Sequence, residues 1–131
     1  MLIAISRYVA IGLGILTPLA ETIRRWHTWR ADPPSFFDDY IIGTFLLLGA
    51  WRVGKDVRRG RPLLAAAWAF FCGMAYGSFF GQLQDNRLGL ADPAPISSGG
   101  VAAIKGIGLA IGLGCLVFSL WPISSRRSPE S

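Results

Sequence analysis

The chain has 131 residues, of which 52% are hydrophobic and only 16% are charged, against roughly 25% charged residues in ordinary soluble domains. Its net charge is only +5, and its 16 glycines and eight prolines follow no repeat, so nucleic-acid-binding, fibrous and disordered proteins are not expected. The apolar residues instead form four long blocks. They predict an all-α integral membrane protein with four transmembrane helices in one domain, arranged as an antiparallel up-down bundle.

The first predicted span covers residues 2–20 and is interrupted only by Arg7. Pro18 stands where a signal-peptidase site would need a small residue, so we expect this span to be retained. Beyond the span, Glu21 precedes Arg24 by three residues and Arg25 by four. This order favours ion pairs on a helix, so the first helix is expected to continue past the span.

The second predicted span, residues 36–53, is the shortest and carries Asp38 and Asp39 at its start. Ser35 and Asp38 have the spacing of a capping box, and acidic residues suit the positive end of a helix dipole. We therefore interpret the two aspartates first as a helix cap.

The connector between the second and third spans is short enough to predict a tight antiparallel hairpin. We expect the second helix to continue to Arg59 and to end at Gly60, with Pro62 in the first turn of the third helix. Asp56 is spaced to pair with Arg52 or with Arg59.

The third and fourth predicted spans, residues 62–83 and 98–123, carry small residues at intervals of four, and a polar tail follows at 124–131. Lipid gives little hydrophobic drive between helices, so small residues that allow close backbone approach become the packing signal. We predict the closest helix packing, with each other or with a second copy, along Ala65, Ala69, Gly73, Gly77 and Gly81 and along Ala102, Gly106, Ala110 and Gly114.

Basic residues near the span ends predict the orientation of the bundle. Eight lie on one side, namely Arg7, Arg52, Lys55, Arg58, Arg59, Arg61, Arg126 and Arg127. Five lie on the other, namely Arg24, Arg25, Arg30, Arg87 and Lys105. Both termini are therefore expected in the cytoplasm. The many Arg, Ala and Gly residues are typical of a GC-rich bacterial genome. We therefore expect the membrane to be a bacterial inner membrane.

Lys105 is the most informative charge, because an ionisable group inside a span is costly. We expect its long stem to reach the headgroups or its amine to pair with Asp38, Asp39 or Asp92. These residues make Lys105, Asp38 and Asp39 a candidate polar site. Two single cysteines, Cys72 and Cys115, lie at similar depth and are expected to serve as apolar filler.

The small-residue rows, the scarcity of polar groups inside the spans and the large aromatic faces lead to a first hypothesis. The chain is expected to be a non-enzymatic subunit or accessory protein of a membrane complex, in contact with lipid and with a membrane protein partner or a second copy. The alternative is a homo-oligomeric channel or transporter with an outer vestibule around Lys105, Asp38, Asp39 and Gln82. A weaker alternative is an enzyme using His27, Asp32 and the two aspartates. Without a recognisable ligand or catalytic spacing, we expect no metal, cofactor or catalytic residue.

Overall fold

The structure, a computed structural model, describes residues 1–31, 33–90 and 96–122, with only the backbone at residue 35. Its four helices are α1 (Leu2–Arg25), α2 (Pro33–Lys55), α3 (Val57–Arg87) and α4 (Ser98–Leu120). Each helix contacts the next, and α1 also contacts α4. The all-α fold expected from the sequence is confirmed.

Cross-helix contacts show that neighbouring helices are antiparallel. Arg7 reaches the end of α2 at Ala50, whereas Thr22 meets Tyr40 near its start. In the same way, Gln82 lies beside Ser98 at the start of α4, and the first turns of α3 lie beside its end. We call the end of the bundle that holds the α2–α3 connector the hairpin end, and the opposite end the loop end.

Among the described helices, α1, α3 and α4 are long and apolar enough to cross a membrane, and α2 does not meet the same criteria of length and hydropathy. Only residues 40–51 separate Asp39 from Arg52, so the charge-free stretch of α2 has 12 residues. At 1.5 Å per residue it covers about 18 Å, against about 30 Å of hydrocarbon. Three of the four predicted spans thus have the required length and hydropathy, and the fourth stays a prediction.

The break between α2 and α3 falls at Asp56, not at Gly60 as the sequence suggested. Asp56 is the N-cap of α3, where its Oδ1 accepts the amides of Arg58 at 3.0 Å and Arg59 at 3.3 Å. Gly60 instead lies inside α3, so close to the backbone of Arg52 and Val53 that a Cβ there would overlap it. Its lack of a side chain permits the tight hairpin. The proposed cap at Ser35 involves a side chain outside the described residues. The interpretation of Asp38 and Asp39 as a helix cap is wrong, because α2 already begins at Pro33 and has no acidic residue in its first turn.

The core follows the centre of the bundle, where Leu46 of α2 and Leu64 and Trp68 of α3 are fully buried. Helices α1 and α2 cross closely at Gly14 and Gly43, since a Cβ at Gly43 would lie 2.5 Å from the Gly14 carbonyl oxygen. The rest of the buried cluster is formed by Ala10, Ile42, Ala50, Val53, Ala67, Phe71, Cys72 and Cys115. Both cysteines lie in this cluster and are not joined in a disulfide.

Candidate functional site

Polar side chains from all four helices gather at the loop end. Gln82 of α3 is only 4% exposed and links two residues of α4. Its Oε1 accepts a hydrogen bond from Lys105 Nζ at 3.2 Å, and its Nε2 donates to Ser98 Oγ at 3.0 Å. Together with Glu21 of α1 and Asp39 of α2, these residues form what we call the loop-end cluster.

Glu21 is the buried acid of this cluster, with 6% of its surface exposed. Arg24 Nη1 lies 3.1 Å from Glu21 Oε2, and Arg25 Nε lies 2.9 Å from Glu21 Oε1. These contacts confirm both ion pairs expected from the sequence, and α1 continues to Arg25 as predicted. The burial of Glu21 could not be predicted from the sequence, because the residue follows the apolar block.

The structure brings Asp39 and Lys105 to the same end of the bundle. Asp39 is half-buried and lies within electrostatic range of Glu21, Lys105, Arg24 and Asp38. Lys105 is also half-buried, and its hydrogen bond to Gln82 gives it a neutral partner that the charge pattern did not indicate. The proposed partner Asp92 lies outside the described residues.

His27 does not join the loop-end cluster by any described contact. It lies exposed on the turn that follows α1, and Asp32 lies outside the described residues. Across the described parts of the chain, no three His, Cys, Asp or Glu side chains come close enough to hold a metal ion.

A second polar group lies at the hairpin end and was missed by the sequence analysis. Ser6 Oγ of α1 accepts a hydrogen bond from Trp68 Nε1 of α3 at 2.8 Å and lies 2.6 Å from Ser119 Oγ of α4. Ser6 Oγ also donates to the Cys115 carbonyl at 3.1 Å. We call Ser6, Arg61, Trp68 and Ser119 the hairpin-end cluster. The sequence feature that could have predicted this cluster is the serine inside each of two apolar blocks. Serine hydroxyls within membrane spans often form hydrogen bonds between helices.

Arginine side chains complete the hairpin end by binding helix carbonyls. Arg61 Nε of α3 donates to the Ser119 carbonyl at 2.6 Å, and Arg61 Nη2 donates to the Trp121 carbonyl. Arg7 Nε donates to the Ala50 carbonyl of α2 at 3.1 Å. Cations at a helix C-terminus satisfy unpaired carbonyls and complement the helix dipole.

The row of small residues on α3 turns away from its neighbours within the chain. Ala65 is buried, but Ala69, Gly73, Gly77 and Gly81 are exposed. A Cβ added at any of the three glycines would meet nothing within 4 Å. We call Ala69, Gly73, Gly77 and Gly81 the α3 glycine face.

The row on α4 is divided in the same way. Ala102 is buried and Gly106 lies against Phe79, whereas Ala110 is exposed and a Cβ at Gly114 would meet nothing. The contact between the two helices runs through Gly112, where a Cβ would come within 2.7 Å of Phe71 and 3.1 Å of Cys72 Sγ. Close α3–α4 contacts therefore lie both within the predicted row, at Gly106, and beside it, at Gly112.

Comparison of the chain with protein-family models, with curated proteins and with solved structures gives no match. Function has to be argued from the residues themselves.

Proposed function

We propose that the chain is a small helical membrane protein of the bacterial inner membrane, with both termini in the cytoplasm, that acts as a non-enzymatic subunit or accessory protein of a membrane complex. The α3 glycine face is the surface that binds the partner helix. The observation that carries this proposal is that these glycines are exposed and that no described residue of the chain lies within 4 Å of a Cβ added to them.

The free-energy cost of glycine within a helix supports the binding of a partner helix at this face. Glycine in a helix interior costs about 1 kcal/mol relative to alanine. At Gly73, Gly77 and Gly81, the described residues leave room for a Cβ, so alanine would fit the single chain. Small residues at four-residue spacing do serve a helix that packs from outside, because they let two backbones approach closely in lipid.

The aromatic residues beside this face support the same function. Phe70, Tyr76 and Phe80 of α3 are exposed, and the Tyr76 and Phe80 rings lie 4.7 Å apart between centroids. A smooth groove flanked by rings gives a partner helix both close approach and extensive van der Waals contact.

The decisive experiment replaces two of these glycines by a bulky residue. Gly73→Ile combined with Gly77→Ile should lower the yield of the complex recovered in mild detergent at least tenfold, measured by native mass spectrometry. Gly12→Ile is the matched control, because Gly12 is an exposed α1 glycine at which a Cβ also meets nothing. Complex formation by the double variant at the wild-type level would refute the proposal, as would recovery of the wild-type chain only as a partner-free homo-oligomer.

The loop-end cluster favours a second candidate function, a homo-oligomeric channel or transporter with its vestibule at Lys105, Asp38 and Asp39. Its support is the half-buried Lys105 beside the buried Gln82 amide. Proteoliposomes should then show chloride or potassium flux that Lys105→Met changes. The chain's other lysine, Lys55, is exposed at the hairpin end, so Lys55→Met is the control. Equal flux through both variants and wild type would exclude this candidate.

A further inference from the structure

A cavity of about 260 Å³ opens at the hairpin end between the start of α3 and the end of α4. It has a basic part and an apolar part, and its lining consists of Arg58, Arg61, Pro62, Ala65, Ser119 and Leu120. Since a water molecule occupies about 30 Å³ of liquid, the cavity has room for a phosphate group and the atoms attached to it.

Arg61 is held in place at the wall of this cavity. Its Nε and Nη2 donate to the carbonyls of Ser119 and Trp121, which fixes the guanidinium against the end of α4. A guanidinium has five N–H donors, so these two bonds leave the Nη1 edge for another acceptor. A guanidinium with fixed geometry loses less conformational entropy when it binds an oxyanion.

The surrounding segment is strongly basic. Residues 52–61 contain five basic side chains and one acidic side chain, a local net charge of +4. The single acid, Asp56, caps α3 and lies 3.7 Å from Arg59 Nε, measured at Oδ2. Asp56 therefore interacts with Arg59, and Arg58 and Arg61 give the cavity a positive potential.

The geometry points to a binding site for an anionic phospholipid in this cavity. The phosphate lies against Arg58 and the free edge of Arg61, and the acyl chain follows Pro62, Ala65 and Leu120 along the α3–α4 groove. Basic pockets between membrane helices on the cytoplasmic side are suited to such headgroups. This assignment rests on the membrane placement in the proposed function.

The apolar half of the cavity favours a lipid over a free phosphate ion. Leu120 is 63% exposed beside the cavity, and Pro62 is also exposed. An inorganic phosphate would use the two arginines and leave this apolar surface uncovered. A phospholipid covers both parts with one molecule.

The test titrates the delipidated full-length chain in detergent with phosphatidylglycerol, and separately with phosphatidylcholine of the same acyl chains, by native mass spectrometry. We expect one phosphatidylglycerol to bind preferentially. Arg58→Gln should weaken that binding about fivefold, the effect of one basic group near an anionic headgroup. Arg52→Gln removes the same charge from the exposed end of α2, outside the cavity lining, and should change binding less than twofold.

A second pair of variants tests the cavity without altering the arginines. Leu120→Glu adds a carboxylate at the exposed rim and should weaken phosphatidylglycerol binding at least fivefold. Leu120→Gln introduces a side chain of the same shape as Glu without the charge, and should bind the lipid within threefold of wild type. Unchanged binding in both Arg58→Gln and Leu120→Glu would overturn the assignment. Displacement of the lipid by an excess of inorganic phosphate would also overturn it, since the site would then take the free ion.

The experiment uses the chain alone, so its result is separate from that of the partner assay. Loss of lipid preference with the complex intact would remove only this inference. Lipid binding retained by a chain that forms no complex would remove only the proposed subunit function.

Discussion

The two ends of the bundle are held together by different chemistry. The hairpin-end cluster uses two hydroxyls, an indole and an arginine that binds backbone carbonyls, and it joins α1, α3 and α4 directly. At the loop end, the ion pairs of Glu21 stay within α1, and the described side-chain bonds between helices join α3 to α4 at Gln82 and α1 to α2 at Thr22 and Tyr40.

The difference shows where the bundle is rigid and where it is adaptable. Buried neutral hydrogen bonds have little competition from water, so each one contributes to stability and fixes the geometry of several helices. At the loop end Glu21 and Gln82 are also buried, but Lys105 and Asp39 are half-buried, and charges of that kind are screened and contribute less. We therefore expect substitutions at the hairpin end to alter stability, and substitutions of Lys105 or Asp39 to alter function more than stability.

The largest effect should come from Trp68→Ala. Trp68 is fully buried, lies edge-on to Phe71 at 5.4 Å between centroids and donates to Ser6. Its removal leaves a cavity and should lower the free energy of unfolding by about 3 kcal/mol. Unfolding in mixed micelles of increasing SDS fraction, followed by circular dichroism, measures this change. Trp51→Ala is the control, since Trp51 is 54% exposed and its loss should cost less than about 0.5 kcal/mol. Equal effects of the two variants would contradict the buried position of Trp68.

Ser6→Ala should have an intermediate effect. It removes the acceptor of the Trp68 indole and the contact with Ser119 Oγ, and should cost about 1 to 2 kcal/mol in the same assay. Thr17→Ala is the matched control, because the Thr17 hydroxyl donates to the Leu13 carbonyl of its own helix at 2.8 Å. We expect a change below about 0.5 kcal/mol for that control. If Ser6→Ala lowers the free energy of unfolding no more than Thr17→Ala does, the hairpin-end cluster does not contribute to stability.

Lys105→Met should have the smallest effect on stability. It removes the Lys105 donor from the buried Gln82 Oε1 but keeps an unbranched apolar stem of similar length, so the unfolding free energy should fall by about 1 kcal/mol at most. A loss above about 1.5 kcal/mol, measured beside Lys55→Met, would show that the loop end depends on this charge as much as the hairpin end depends on its hydroxyls.

The helices and their local ion pairs could be read from the sequence because both depend on residues close together in the chain. The apolar blocks predicted the four helices, and the spacing of Glu21, Arg24 and Arg25 predicted the ion pairs among these three residues. The sequence predicted that α2 ends at Gly60, whereas the structure ends it at Lys55, before Asp56. The outcome depended on the backbone of α2 approaching Gly60, a contact between helices that spacing does not reveal.

The small-residue row shows why the packing face could not be read in the same way. A step of four residues turns an α-helix by about 40° beyond a full turn. From Ala65 to Gly81 the row therefore rotates by about 160°, from the buried side of α3 to the exposed side. A repeat of four identifies neighbours along one helix, but it does not indicate which other helix covers them.

The single residue between α2 and α3 has a consequence for how the chain reaches its final location. In the proposed membrane placement, the connector of one residue, Asp56, would bring α2 and α3 into the bilayer as one hairpin. The modest apolar stretch of α2 would then not have to drive its own insertion, because the partitioning of α3 would carry it along. Biogenesis of this protein would then insert three units: α1, the α2–α3 hairpin and α4.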